Sequence, residues 1–157
     1  MHTLNHDLDT KLIEADGRYL NTQELYPLEQ YLQSYQLRLQ TYQLLSENSE
    51  KLIVNTLRKF AQAYPELIKN HGARCKYDMG SVIRYIALSI LRNDELFFKE
   101  QMMFWLDTIL VAYKRTSHCT RVYDYLHKEV DRLLPPNCSS LVHPYIKLIT
   151  VMLNSHV

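Results

Sequence analysis

A chain of 157 residues, 46% hydrophobic and 22% charged, has the length and composition of one folded domain with a sizeable core. Its 18 basic and 17 acidic residues leave a formal net charge of +1, which gives no electrostatic case for a nucleic-acid partner. Arg84, Lys99, Asp107 and Lys147 interrupt the densest apolar stretches, and Met1 to Asp16 carries acidic residues and no signal-peptide core, so the expectation is a soluble, cytoplasmic chain that does not span a membrane.

The hydrophobic pattern is helical from end to end. Residues 2–14 form a short amphipathic segment with Leu4, Leu8 and Leu12 at four-residue spacing, punctuated by Asp16-Gly17. Asn21 followed by Glu24 has the form of a helix N-cap with its capping-box partner. Leu25, Leu28, Leu32, Tyr35, Leu39 and Tyr42 then make a single apolar stripe, with Pro27 near its start. Ser46 to Ser49 reads as a polar break, Ile53 to Tyr64 as the next helix, and Lys69 to Gly72 as a short loop. Residues 74–92 are apolar on several faces, which predicts a central helix; within it Arg84 is expected to be buried and to need a carboxylate or carbonyl partner. Asn93-Asp94 ends that helix, residues 95–113 resume with large side chains, and 118–134 run to Pro135-Pro136. Leu141, Tyr145, Leu148, Ile149 and Met152 mark the last helix. Helices of such unequal length suit crossed, globin-like packing better than a four-helix bundle.

Few chemistries survive the composition. Only Gly17, Gly72 and Gly80 are glycine, so phosphate-cradling loops are excluded. Cys75, Cys119 and Cys138 form no CxxC pair and no metal-ligand spacing with the histidines, so no metal site is expected. His71, His118, His127 and His143 are available to a haem, but only His127 sits within a clear helical pattern, and Asp124 and Asp131 beside it mark a solvated face. Asp124, Glu129 and Asp131 read as a surface charge run, and no Ser/His/Asp or Cys/His arrangement is legible. No catalytic residue is assigned, and no enzyme is expected. Cys75 and Asp78, three apart on a helix, share a face that Val82 and Tyr85 continue.

Several segments, in order along the whole chain, resemble the phycobiliproteins. They are Glu14 to Leu20, Leu44 to Ile53, and Phe60 to Ile68 with its Tyr-Pro-Glu-Leu-Ile ending. The most specific is Cys75-Lys76-Tyr77-Asp78 followed by Arg84-Tyr85, similar to the family's Cys-x-Arg-Asp and Arg-Tyr at the same offset. Cys138-Ser139-Ser140-Leu141 resembles the stretch around the second pigment cysteine of phycocyanin-type β subunits.

The resemblance implies an all-α, globin-like domain over residues 1–157, with two N-terminal helices projecting to pair with a related subunit or another phycobilisome or photosystem component. It implies a light-harvesting subunit at the cytoplasmic or stromal face of thylakoids. Its cofactor would be a phycocyanobilin-type linear tetrapyrrole, attached at Cys75 and, on exposed turn residues, at Cys138. Asp78 would face the pyrrole nitrogens, with Arg74, Lys76 and Tyr85 completing the site and Lys69 adding to the cationic group. Two features depart from the family. Tyr77 replaces the arginine before the aspartate, and the segment before Cys75 is shorter. Both favour a second reading, a non-pigmented relative acting in assembly, docking or turnover.

Overall fold

The computed structural model describes residues 4–113 and 116–155, without the side chains at 110, 111, 113, 116 and 117. Eight α-helices occur among them, α1 (His6–Glu14), α2 (Thr22–Gln33), α3 (Tyr35–Ala63), α4 (Pro65–Arg92), α5 (Glu95–Phe98), α6 (Phe104–Tyr113), α7 (Thr116–Leu133) and α8 (Pro136–Asn154), with a π-helical segment, Lys99–Met103, joining α5 to α6. No strand occurs among the described residues. Residues 2 and 3, expected in the first helix, lie outside them.

The expected caps form. Asn21 Oδ1 accepts from Glu24 N at 3.0 Å and Asn21 N donates to Glu24 Oε2 at 2.9 Å, closing the capping box of α2. Asn93 ends α4 in the left-handed region at φ 53°, and Asp94 caps α5 by accepting from Phe97 N. Pro65 and Pro136 occupy the first turns of α4 and α8, where the missing N–H costs nothing.

Three expectations about breaks are corrected. The stripe from Leu25 to Tyr42 is divided at Ser34 between α2 and α3. The cause is Arg38, whose Nη2 donates to Tyr31 O at 2.5 Å while Ser34 Oγ donates to the same carbonyl at 3.2 Å. In a continuous helix that carbonyl would accept from Tyr35 N. Conversely, Ser46 to Ser49 does not interrupt α3, because these polar residues lie on its outer side while Leu45, Leu52, Ile53, Thr56 and Phe60 form the buried stripe. Nor is Lys69 to Gly72 a loop: α4 runs through it without a break.

α3 and α4 form the principal helix pair, and α7 and α8 pack against them. Met79, Val82, Ile83, Ile86 and Ile90 of α4 meet Leu52, Ile53 and Phe60 of α3, with Leu126, Val130, Val142, Ile146 and Ile149 closing the same core. Phe98 lies edge-on to Tyr145 at 5.1 Å, tying α5 to α8. α1 and α2 contain no buried residue. Leu4, Leu12, Ile13, Tyr26 and Leu32 are exposed, and Leu8 is half-buried. α1 is held by its N-terminus, where Asn5 Nδ2 donates to the carbonyls of Arg92 and Asn93 and His6 Nδ1 lies 2.6 Å from Asp94.

The buried arginine is Arg38, not Arg84. Arg84 is exposed, so the phase expected for α4 at that position is corrected. Arg38 is 2% exposed, donates to the carbonyls of Tyr31 and Leu91 and to Ser34 Oγ, and stacks 4.1 Å above the Tyr31 ring. It thereby joins the α2–α3 junction to the end of α4. Arg38→Ala leaves two carbonyls short of a donor and is expected to cost about 3 kcal/mol in urea unfolding, whereas Arg84→Ala changes stability by less than about 0.5 kcal/mol.

Glu129 is likewise buried rather than part of a surface charge run. Its carboxylate accepts from Asn55 of α3 at 3.2 Å and from Arg132 Nη2 at 2.7 Å, and it pairs with Lys59 of α3. Burial pushes its carboxyl up, but the hydrogen bonds from Arg132, Lys59 and Asn55 outweigh it and hold the pKa at about 2. A depressed carboxylate pKa contributes stability above the unfolded value near 4.5, and that contribution is lost as pH falls toward about 2. Between those limits the wild type should lose about 3 kcal/mol that Glu129→Gln does not lose, read from urea midpoints along the acid limb.

Candidate functional site

The continuity of α4 through residues 69–72 decides which side chains can meet. On an unbroken helix, Arg74 and Cys75 lie three and four residues after His71, Asp78 lies four and three residues after them, and all four line one side. There they face a cavity of about 100 Å³ whose other walls are Phe60 of α3, Ile109 of α6, and His118, Cys119 and Val122 of α7. Arg74 Nε donates to Asp78 Oδ2 at 2.9 Å. Asp78 Oδ1 is buried and has no hydrogen-bond partner among the described residues, an arrangement that costs free energy unless something donates to it.

The candidates named from sequence divide. Arg74, Cys75 and Asp78 line the one cavity. Lys76 turns to α3 and pairs with Glu50, Nζ to Oε1 at 2.6 Å. It lines a separate groove with the exposed Tyr77 and Arg84. Tyr85 packs its ring 6.0 Å from Phe97 and is not part of the cavity wall. Cys138 is fully buried in the first turn of α8, within the hydrophobic core. The exposure expected of it is corrected: Pro135-Pro136 begins a helix there instead of an open turn, and the thiol points into the packed interior.

Other residues join the site without having been singled out for it. The polar composition of residues 69–72 hides His71 from the helical pattern; continuing the helix one turn toward the N-terminus places it four residues before Cys75. His118 and Cys119 come from α7, far along the chain, and no local pattern brings them to Cys75. Tyr123, a buried residue of α7, has its phenol pushed up by burial first and then by Cys119, Asp78 and Cys75, so it stays protonated.

A linear tetrapyrrole asks for a thiol, an anion opposite its inner N–H groups, cations for its propionates and apolar walls. Cys75 offers the thiol and the orphaned Asp78 Oδ1 offers the acceptor. Phe60, Leu67, Ile109 and Val122 supply the walls. Arg74, half-exposed beside Asp78, supplies a cation at the rim. The residues present therefore fit attachment and recognition of the inner nitrogens, while Lys76 lies outside.

An all-helical fold with a cysteine and an aspartate one turn apart at a small cavity defines a class that comparison with known sequences makes specific. The model of the family described as "Phycobilisome protein" matches residues 11–153. The chain belongs to that family, and its fold is the all-α, globin-like fold of phycobiliproteins. Among known relatives, the allophycocyanin alpha-B chain of Cyanidium caldarium is 34% identical over 54% of this chain and 58% of its own. The C-phycocyanin beta subunit of Mastigocladus laminosus is 28% identical over 57% of this chain and 58% of its own. The chain thus spans less than two thirds of the length of either relative. Among the described residues, no helix is long and apolar enough to cross a membrane.

Proposed function

We propose that the chain is a non-enzymatic light-harvesting subunit of phycobilisome type, carrying one covalently bound linear tetrapyrrole on Cys75. The observation that carries this reading is the orphaned Asp78 Oδ1, buried beside Cys75 in an apolar cavity. Bound there, the pigment would supply the visible absorption. Cys75 fixes it to α4 through a thioether. Asp78 accepts from its inner N–H groups, Arg74 holds the carboxylate in place and meets a propionate, and the packed walls restrict the pigment's motion. Cys138 is fully buried, which does not favour a second pigment there, and it is not included in the proposal.

Co-expression with a bilin pathway and a suitable lyase tests the assignment. Wild type, Cys119→Ala and Cys138→Ala should gain the mass of one bilin and show a zinc-fluorescent band on a denaturing gel; Cys75→Ala should show neither. Asp78→Asn should retain the thioether and shift the red absorption to shorter wavelength with weaker emission, because the inner nitrogens lose their counter-charge in a site where charge is poorly screened. A colourless wild type under conditions that load an ordinary phycocyanin subunit overturns the proposal.

A second reading has its own support. A cavity of about 100 Å³ is small beside the roughly 300–1,000 Å³ of ordinary ligand pockets, and Lys76 and Tyr77 face elsewhere. On that reading the chain is a non-pigmented relative acting in assembly, docking or turnover. Both readings use the same partner surface. Leu12, Ile13, Tyr26 and Leu32 form an exposed apolar set on helices with no buried residue, suited to a related subunit or another phycobilisome component at the thylakoid surface. Removing residues 1–18 should leave the α3–α8 body folded by circular dichroism and abolish association in sedimentation velocity with the partner subunit.

A further inference from the structure

The helix pair α7–α8 carries a second cluster of side chains that the pigment site does not use. His127 and Asp131 stand one turn apart on α7, and His143 projects from α8 toward them; one donor atom from each lies within 4.8 Å of the others. The two imidazole rings are 4.3 Å apart, and His143 Nε2 lies 2.6 Å from Asp131 Oδ1. A buried hydroxyl backs the carboxylate: Ser139, 2% exposed, donates to Asp131 Oδ1 and lies 2.9 Å from His143 Nε2. The Ser139 hydrogen bond leads in holding the Asp131 carboxyl below its ordinary range, partial burial opposes it, and His143 adds to it.

We infer that His127, Asp131 and His143 form a divalent transition-metal site that clips α7 to α8. Two imidazoles and one carboxylate suit zinc and its neighbours in the first transition row rather than calcium or magnesium, which take all-oxygen sets. Tetrahedral zinc at its usual bond lengths puts donors about 3.4 Å apart, so the cluster needs only small rotations of side chains that solvent already reaches. His143 ligates through Nε2 with its proton carried on Nδ1, and the metal takes the place of the Nε2–H···carboxylate bridge. Ser139 acts as a positioning residue, orienting the carboxylate from the buried side. Both histidines also border an open cavity of about 570 Å³, which leaves a fourth position for water or an outside ligand. Ser139, His143 and Asp131 do not form a nucleophilic triad, because serine and aspartate both approach the same imidazole nitrogen.

Titration of the reduced 157-residue chain with Zn²⁺ tests the site. Isothermal calorimetry should give saturable binding of one ion in the micromolar range, and a hundredfold excess over Kd should raise Tm by about 5–10 °C. His127→Gln, His143→Gln and Asp131→Asn should each weaken binding at least about tenfold, and Ser139→Ala should weaken it through the carboxylate alone. Co²⁺ bound to the wild type should show d–d bands without thiolate charge transfer. The inference is overturned by absence of saturable binding. It is equally overturned by binding that both glutamine variants leave intact, or by a strong thiolate band, which would move the ion to a cysteine such as Cys75 or Cys119.

Discussion

The pairing of two long, unbroken helices, α3 and α4, is the constraint on which the rest of the molecule depends. Each buries a stripe against the other, Leu52, Ile53 and Phe60 on α3 against Met79, Val82 and Ile83 on α4. A helix has one phase along its length, so fixing that apolar contact fixes the direction of every other side chain on α4. Arg74, Cys75 and Asp78 are turned toward α7, whereas Lys76 and Tyr77 are turned toward the outer groove. A break at residues 69–72 would release His71 from this register, and the cavity would lose one of its walls.

Two buried ions lock other helices onto α3 at different levels. Arg38 takes the carbonyl of Leu91 near the C-terminus of α4 and that of Tyr31 near the end of α2, so a single guanidinium sets where α2 stops and how α4 ends beside it. Glu129 is reached from α3 by Asn55 and Lys59 and from its own helix by Arg132, which sets the rotation of α7. Isolated charges in such places would be costly; their hydrogen bonds tie the helices into one arrangement. The rotation of α7 in turn decides that Cys119 and Val122 face the Cys75 cavity while His127 and Asp131 face α8. One helix therefore serves two separate chemical clusters, one at each end.

The sequence alone determined the helical class, the ends of most helices and the pairing of Cys75 with Asp78. These follow from local rules: apolar spacing, the Asn21–Glu24 cap, the turn at Asn93-Asp94, the Pro135-Pro136 stop, and the closeness of residues three apart on a helix. It misjudged polar stretches inside long helices. Ser46 to Ser49 and Lys69 to Gly72 resemble breaks locally, but burial of the flanking apolar stripes carries each helix through them. Which arginine is buried, why Glu129 lies inside, where the Cys138 thiol points, and the meeting of Cys75 with Cys119 or of His127 with His143 were decided only by the tertiary structure. The reason is physical: each depends on the rotation of one helix against another, set by the summed packing of many distant side chains and encoded at no single spacing along the chain.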